Sequence, residues 1–236
     1  AGQWRVGLPN SQKCNIDRAR KWQNSCVYAV EGSTAMTENK AANWSLLSAR
    51  GKRKYITREE RGLFLAASVA FHADIADFCM IVAATGCRVS EALSLTPGSF
   101  DFDLGVVAIE SLKKRRKGVY REVPLPPSLS SRLKRRIADR GTPPCERLWS
   151  WSRMTAYRHI CAVMEKAGIQ GEHAKPKGLR HGFAVIAIQS GIPLNLVQKW
   201  LGHADMKTTA IYAAAVGDEE KEIASRMWEK TCPGQV

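Results

Sequence analysis

The spacing of apolar residues changes twice along this chain, and these changes limit the folds open to it. In residues 57–95 apolar side chains recur every three or four positions, as on the buried face of a helix. Between residues 100 and 126 they alternate instead, which predicts β segments at 106–109 and 120–125 in a hairpin or short meander. From residue 129 onward the helical spacing returns. The sequence therefore predicts an α+β fold that is mainly α, with a small antiparallel β-sheet.

The chain also carries a large positive charge. Of its 236 residues, 36 are Lys or Arg and 22 are Asp or Glu, which gives a formal net charge of +14. The hydrophobic fraction of 44% is sufficient for a real core. Such a basic excess favours a polyanionic partner, with nucleic acid as the leading candidate. A solvated basic surface or a ribosome-associated protein is the alternative.

Cysteine usage and hydropathy bear on the compartment. Seven cysteines are present without a Cys-x-x-Cys pair, which argues against a zinc module or a disulfide framework. A reducing compartment is therefore expected, and we expect a cytoplasmic, nucleoid-associated protein. The sequence has no apolar run of about 18 residues, so no transmembrane helix is expected, and no signal peptide is evident.

Single residues signal where several helices begin and end. Thr57 followed by Glu59 and Glu60 is typical of a helix start. Gly86 is expected to end a helix that begins near residue 72, and a new helix opens at Arg88.

The two ends of the chain are less regular. A helix is predicted at 17–30, followed by a linker at 32–43. Near the other end, Asp205 is expected to cap a short helix that holds Tyr212. A tail helix is predicted at 218–230, with an apolar side formed by Ile223, Met227 and Trp228.

Two arginines suggest a site for a phosphate. A phosphodiester under attack gathers negative charge on its nonbridging oxygens, and arginine suits this charge because its guanidinium donates two hydrogen bonds and stays protonated. Arg88 and Arg180 each stand at or near a predicted helix start, where free backbone amides also favour an anion. The alternative is that each is a surface or salt-bridge arginine, such as Arg88 paired with Glu91.

Tyr212 carries a hydroxyl that could attack such a phosphate and form a phosphotyrosyl intermediate. The alternative is a half-buried tyrosine in a short helix. His203 could bond the phosphate or orient Tyr212, or it could cap the end of a helix. His181 follows Arg180 and so points differently on the same helix, and we expect it to support the site rather than contact the phosphate.

The predicted hairpin has a strongly basic tip. Residues 113–117 read Lys-Lys-Arg-Arg-Lys. A leaving 5′-oxygen needs a proton, and a lysine on this tip could deliver it. For most of these residues a solvated loop that touches a DNA backbone is the alternative.

Taken together, these segments resemble the catalytic domain of the tyrosine recombinase (phage integrase) family. The resemblance is carried by Ala-Thr-Gly-Cys-Arg-Val-Ser-Glu-Ala-Leu at 84–93, Leu-Arg-His-Gly-Phe at 179–183, Leu-Gly-His at 201–203 and Thr-Thr-Ala-Ile-Tyr at 208–212. One box alone is a weak signal, but all of them in order around a β hairpin are a strong one. The resemblance covers residues 52–212 and the tail helix.

The resemblance implies roles for the matching residues. Arg88 and Arg180 would clamp the phosphate. Tyr212 would attach to a 3′-phosphate and free a 5′-hydroxyl, and His203 would support the phosphate and Tyr212. The hairpin would supply a general-acid lysine, with Lys117 preferred and Lys114 second. No cofactor, metal or ATP would be required, because the bond energy is stored in the phosphotyrosine.

One position departs from the family pattern. Lys177 stands where the family usually has a histidine, three residues before the second arginine. It would keep a donor to the phosphate, but an amine that is protonated near neutral pH is a poorer base. The acceptor of the Tyr212 proton therefore stays open.

The resemblance also bears on domains and partners. Residues 52–236 would form the catalytic domain with its tail helix. Residues 1–51 are too short for the helical core-binding domain usual in the family, which leaves a truncated catalytic fragment or a reduced clamp around DNA. The implied partner is double-stranded DNA, bound by a homo-tetramer that is a monomer without DNA.

The resemblance implies site-specific DNA recombination. The rival activities are a type IB topoisomerase-like relaxation of DNA and non-catalytic DNA binding on the same fold. A basic RNA-binding protein is disfavoured, since no RNA motif with interleaved aromatics is visible. The DNA target and the choice among integration, excision and resolution stay open.

Overall fold

The computed structural model describes residues 46–112 and 118–213. The α-helices in these residues are α1 (Arg58–Ser68), α2 (Ala73–Thr85), α3 (Val89–Ala92), α4 (Pro127–Arg140), α5 (Arg153–Lys166), α6 (Pro176–Gln189), α7 (Leu194–Leu201) and α8 (Lys207–Ala210). The strands are β1 (Phe100–Asp101), β2 (Val106–Glu110) and β3 (Tyr120–Pro124). The predicted fold class, mainly helical with a small antiparallel sheet, is confirmed. The predicted helix at 17–30, the hairpin tip at 113–117 and the tail helix at 218–230 lie outside the described residues.

The helix boundaries follow the single-residue signals. The Thr57 hydroxyl accepts a hydrogen bond from the Glu60 amide (3.2 Å), and the Glu60 carboxylate accepts one from the Thr57 amide (3.0 Å). This reciprocal capping box satisfies two backbone donors at the start of α1. Gly86 ends α2 with a φ of 60° and Gly202 ends α7 with a φ of 66°, a left-handed conformation that glycine adopts without a steric penalty.

The three strands form one antiparallel sheet in the order β1-β2-β3. Val107 lies opposite Val123 in the central pair, and Phe100 of β1 lies opposite Val107 on its other side. Side chains alternate along the strands, so that Val107, Ile109 and Val123 are buried while their neighbours face outward. Strand β1 was not predicted, because two residues are too few for an alternating pattern.

Helix α2 is central to the larger core. Phe78, Ile81 and Val82 have no exposed surface, and burial of side chains of this size stabilises a fold by about 1.5–3 kcal/mol each. Helix α2 packs against both α1 and α6, so α6 is fixed by the core. In the part of the chain that the structure describes, no helix is long and apolar enough to span a membrane.

A second, smaller core lies between α6, α7 and the segment that follows α8. It contains Ala184 and Val185 of α6, Val197 and Leu201 of α7, and the ring of Tyr212. Tyr212 is only 1% exposed. The predicted nucleophile is therefore also a core residue, and its position is set by apolar packing.

The basic residues of α4 mostly form ion pairs within the protein. Arg136 and Arg140 of α4 each donate to the Asp74 carboxylate at 2.6 Å. Arg132 pairs with Asp77, whose side chain is almost fully buried in α2. A buried carboxylate is stable only when its charge is matched. Much of the charge of α4 therefore balances α2 and is not available to a ligand.

Candidate active site

Arg180 joins the ends of two helices. It donates from Nη1 to the carbonyl of Gly86 (2.7 Å) and from Nη2 to the carbonyl of Leu201 (2.6 Å). These carbonyls lie at the C-terminal ends of α2 and α7, which carry unpaired acceptors and negative potential. Burial and the nearby charge of Arg88 lower the pKa of Arg180 to about 10. The guanidinium is thus held in place and remains charged at neutral pH.

Arg88 lies at the start of α3 and is oriented by Glu91. Its Nη1 donates to Glu91 Oε1 (2.6 Å), and its backbone amide donates to Oε2 (3.0 Å). The salt bridge considered as the alternative for Arg88 is therefore present. This salt bridge does not bury Arg88, because its side chain is still 26% exposed. Its charge also reaches Arg180 and contributes to the lowered pKa there.

Arg121 is a buried partner of this pair that was not predicted. It donates to Glu91 Oε2 (2.6 Å), to Ser111 Oγ (3.1 Å) and to the carbonyl of Trp200 (2.7 Å). These bonds tie β3 to α3 and to the end of α7. The alternation of β3 was a usable signal, since it puts Arg121 on the same inward face as Val123.

The ionisation of Glu91 follows from these contacts. Burial alone would raise the pKa of its carboxyl group, but the charge of Arg121 and the hydrogen bond from the Arg88 amide outweigh burial. The net pKa is lower than the ordinary value. Glu91 is therefore a buried carboxylate that keeps its negative charge between two arginines.

Tyr212 lies beyond the helix that was expected to hold it. Helix α8 ends at Ala210, and Tyr212 follows in a turn closed by its amide and the carbonyl of Thr209 (3.0 Å). The N-cap of this helix is Met206 and not the expected Asp205; Asp205 lies one residue earlier, and its carboxylate accepts from the Lys207 amide (2.9 Å). The ring of Tyr212 packs in the smaller core.

The Tyr212 hydroxyl contacts His181. Tyr212 Oη and His181 Nδ1 are 2.8 Å apart. The expectation that His181 points differently from Arg180 holds, since a step of one residue rotates a side chain by about 100° around a helix. That rotation aims His181 at the hydroxyl, a contact that the sequence could not reveal because it depends on where Tyr212 packs.

His203 follows the left-handed Gly202 and flanks the same tyrosine. Its Nδ1 lies 2.9 Å from Oγ1 of the buried Thr209, and its ring stacks with that of Tyr212 at a centroid distance of 6.3 Å and an interplanar angle of 12°. Gly202 also lies close to Arg121, because a Cβ there would lie 3.0 Å from Arg121 Nη1. The cluster of Glu91 and Arg121 thus supports the turn that carries His203.

The site is buried and rich in cations, and its pKa values reflect this. Burial followed by the charges of Arg180 and Arg88 lowers the pKa of His203 to about 3. Burial followed by the charges of Lys177, Arg180 and Lys54 lowers the pKa of His181 to about 4. Both imidazoles are therefore neutral at pH 7.

Burial acts in the opposite sense on the tyrosine. It raises the pKa of Tyr212 to about 12, although the charges of Arg180 and Arg88 oppose this increase. The hydroxyl is protonated at neutral pH. A site of this kind favours an anion and requires a proton acceptor before the tyrosine can attack.

Of the lysines predicted for the site, Lys177 lies within the described residues. Lys177 is exposed in the first turn of α6, and its charge is felt at His181. Lys117 and Lys114 lie in 113–117, outside the described residues. The base of their hairpin is paired, since the Ser111 amide donates to the carbonyl of Val119 (2.8 Å). A cleft of ≈ 240 Å³ opens at this base and is lined by Ser111, Tyr120, Arg121, Lys199 and His203.

The segment that leads into α1 lies directly on α6. The Ile56 amide donates to the carbonyl of Gly178 (3.2 Å). A Cβ at Gly182 would lie 2.4 Å from the Ile56 carbonyl oxygen, and a Cβ at Gly178 would lie 1.9 Å from that of His173. Two glycines one turn apart therefore let the backbone approach the helix that carries Lys177, Arg180 and His181.

A metal ion held by side chains would need several ligands close together. Within 46–112 and 118–213, no three His, Cys, Asp or Glu side chains are grouped in a way that could bind one.

Known proteins resemble this chain in sequence. The phage integrase family model matches residues 54–218. The tyrosine recombinase XerD of Vibrio vulnificus (strain YJ016) is 32% identical over 155 residues, covering 61% of this chain and 49% of the relative. The tyrosine recombinase XerA of Pyrococcus furiosus is 30% identical over 156 residues, covering 62% of this chain and 52% of the relative. The chain spans about half the length of the curated relatives it matches.

Solved structures agree with this assignment. A XerH site-specific recombinase bound to palindromic difH substrate matches with a TM-score of 0.62 and 27% identity, over 75% of this chain and 53% of the other. The catalytic domain of bacteriophage HP1 integrase shares the fold, with a TM-score of 0.55 and 22% identity over 77% of this chain and 98% of the other. The family predicted from the sequence boxes is confirmed. Its model matches more than half of the residues, and the chain belongs to the phage integrase family.

Proposed function

We propose that this chain is the catalytic part of a site-specific DNA recombinase that cuts and rejoins DNA through a 3′-phosphotyrosyl intermediate. The observation that carries the proposal is the arrangement around Tyr212. Its hydroxyl is buried beside two neutral imidazoles, and the charges of Arg88 and Arg180 both act on it. A hydroxyl nucleophile, fixed cations and imidazoles in one place suit the attack on a phosphodiester.

Arg180 and Arg88 bind the scissile phosphate in this proposal. Arg180 is held by two carbonyls and Arg88 by Glu91, so both cations are in position before DNA arrives. Preorganised cations stabilise the charge that develops on the nonbridging oxygens without a reorganisation cost. His203 Nδ1 forms a hydrogen bond with Thr209, and in this proposal its Nε2 contacts the phosphate. Lys177, exposed in the first turn of α6, gives a further donor.

The reaction consists of two transesterifications. Tyr212 Oη forms a bond to phosphorus, the bond from phosphorus to the 5′-oxygen breaks, and the leaving oxygen takes a proton from a lysine of the hairpin tip. We assign this role of general acid to Lys117, with Lys114 as second choice. A 5′-hydroxyl of another strand then attacks the phosphotyrosine and releases Tyr212. The bond energy is kept in the intermediate, so ATP is not consumed.

The molecular setting is proposed with the activity. Residues 52–236 form the catalytic domain. The partner is double-stranded DNA, whose backbone follows the polar cleft beside His203 and the hairpin. The protein acts as a tetramer on DNA, in which the apolar side of the tail helix docks on a neighbouring copy, and it works on the nucleoid in the cytoplasm.

A covalent-capture experiment tests the activity and selects the target sequence at the same time. The protein is incubated with a pool of nicked DNA duplexes that have a randomised core, and adducts that survive a denaturing gel are recovered and sequenced. A nick lets the 5′-fragment diffuse away, so the intermediate accumulates. Wild-type protein should form adducts enriched in one sequence, and Tyr212→Phe should form none.

Two further measurements separate the rivals. Arg180→Ala should reduce adduct formation much more than DNA binding, since Arg180 acts on the reacting phosphate; equal losses would indicate a binding role alone. Relaxation of supercoiled plasmid that lacks the selected sequence would favour a topoisomerase-like enzyme. Tight binding with no adduct would favour a non-catalytic DNA-binding protein.

A further inference from the structure

The contact between His181 and Tyr212 bears on the removal of the Tyr212 proton, a step to which the predicted site residues assign no acceptor. In the described residues the Tyr212 hydroxyl has its hydrogen bond with His181 Nδ1, at 2.8 Å, and none with Lys177. Lys177 occupies the position that the sequence boxes associate with the proton acceptor, yet it is exposed one turn earlier on α6.

The protonation states allow the Tyr212 hydroxyl to donate in this hydrogen bond. With a pKa of about 12, Tyr212 keeps its proton at neutral pH. With a pKa of about 4, the imidazole of His181 is neutral. A neutral imidazole has two tautomers, and the one with its proton on Nε2 accepts at Nδ1. In that tautomer the lone pair of Nδ1 faces the hydroxyl proton.

We propose that His181 is a catalytic residue that accepts the proton of Tyr212 when the tyrosine attacks the phosphate. This inference rests on the proposed recombinase function and adds to it the general base. A base must lie within about 2.6–3.2 Å of the proton-bearing atom, and His181 meets this condition before DNA is bound.

Bonds and protons balance across the two transesterifications. The Tyr212 O–H bond breaks, its electron pair forms the bond to phosphorus, and the proton moves to His181 Nδ1. The bond from phosphorus to the 5′-oxygen breaks, and the hairpin lysine protonates that oxygen. When a 5′-hydroxyl attacks the phosphotyrosine, its proton returns to the lysine, and His181 returns its proton to the departing tyrosine oxygen.

Charges around His181 couple its basicity to the substrate. The groups that face it are Lys54 from the segment before α1, Lys177 and Arg180 from α6, His203 from the turn after α7, and Tyr212. Three of these are cations that disfavour a protonated imidazole. A bound phosphate places negative charge among them, which raises the affinity of His181 for a proton at the moment when it must accept one.

The test compares two substitutions at one position. His181→Asn places an amide oxygen where Nδ1 stood, so the hydrogen bond is kept but no proton can be taken up. His181→Ala removes both the hydrogen bond and the proton acceptor, and it leaves a space for added imidazole. Single-turnover rates of adduct formation are measured on the nicked duplex selected from the randomised pool, together with DNA affinity and thermal stability.

The expected result is a rate about 100-fold below wild type for both variants at neutral pH, with DNA affinity unchanged. Added imidazole should restore His181→Ala and leave His181→Asn unchanged. If His181→Asn kept the wild-type rate, the contact would only position the ring, and the proposal would be overturned. Failure of imidazole to restore a folded His181→Ala would overturn it as well.

The pH dependence of the wild-type rate gives a second measurement that needs no variant. Because the pKa of about 4 is raised when a phosphate is bound, the rate on bound DNA should rise with pH only up to the pKa of His181 in the complex and then stay level to about pH 9. A wild-type rate that rose about tenfold per pH unit all the way to about pH 9, with no level region, would mean that hydroxide removes the proton beforehand, and it would overturn the proposal. Absence of any wild-type adduct would instead overturn the recombinase function on which the proposal rests.

Discussion

Glu91 holds Arg88 with one carboxylate oxygen and Arg121 with the other, each at 2.6 Å. Loss of its charge would leave the buried Arg121 without a counter-ion. Glu91→Gln should therefore lower the free energy of unfolding by about 3 kcal/mol, the usual cost of breaking a buried pair from one side. Urea unfolding measures this difference.

The control for this substitution is Glu122→Gln. Glu122 is the next residue along β3 from Arg121 and is exposed, so the change in unfolding free energy should stay within about 0.5 kcal/mol. Equal stability of the two variants would mean that Glu91 does not hold the arginines.

Glu91 also predicts how stability depends on pH. Because its pKa in the folded protein lies below the ordinary 4.5, its contribution is present above that value and is lost as the pH falls toward the folded pKa. The difference in unfolding free energy between wild type and Glu91→Gln should shrink over this acidic range. A difference that stayed constant in urea titrations at successive pH values would contradict the assigned charge.

At single positions, the sequence predicted which side chains form the site, because these residue types seldom occur together in that order. Arg88, Arg180, His203 and Tyr212 were proposed from their boxes, and the structure places all four in one region. His181 could not be proposed as a partner of the hydroxyl, because that contact depends on the turn after α8. Local sequence does not specify how such a turn packs.

Among the helices, α6 depends most on a close approach of backbone. A Cβ at Gly182 would collide with the carbonyl of Ile56 at 2.4 Å, and backbone cannot yield as a side chain can. Gly182→Ala should destabilise the protein by about 1–3 kcal/mol, although alanine is the better helix former. It should also slow adduct formation, since α6 carries Arg180 and His181. Thermal or urea unfolding measures the stability change.

Gly62→Ala in α1 provides the matched control. A Cβ at Gly62 would meet nothing within 4 Å, so the substitution should stabilise the protein by about 0.5–1 kcal/mol through helix propensity. If both substitutions stabilised the protein, the result would contradict the close packing of the segment before α1 against α6.

Elements with strong local signals could be predicted, and those defined by tertiary contacts could not. The start of α1 and the end of α2 follow from Thr57 and Gly86. Strand β1 exists only because two residues pair with β2. Helix α8 ends at Ala210 and does not reach Tyr212, which was expected within it.

Across the whole molecule, net charge alone does not locate the proposed DNA-binding surface. Arg136 balances Asp74 at 2.6 Å, whereas Lys177 is exposed at the site. Lys177→Ala should reduce the slope of log Kd against log salt concentration by about one, as for the loss of one phosphate contact. Arg136→Ala should leave that slope unchanged and lower stability instead. Fluorescence anisotropy over a salt series distinguishes them; a reduced slope for Arg136→Ala would place DNA on α4.

The proposed chemistry makes Tyr212 the single point of covalent attachment to DNA. Digestion of the captured adduct with protease and nuclease, followed by mass spectrometry, identifies the modified peptide and the linkage. The expected product is a peptide containing Tyr212 joined to a nucleotide through its 3′-phosphate. Attachment at another residue, linkage through a 5′-phosphate, or an adduct undiminished in Tyr212→Phe would contradict the proposed mechanism.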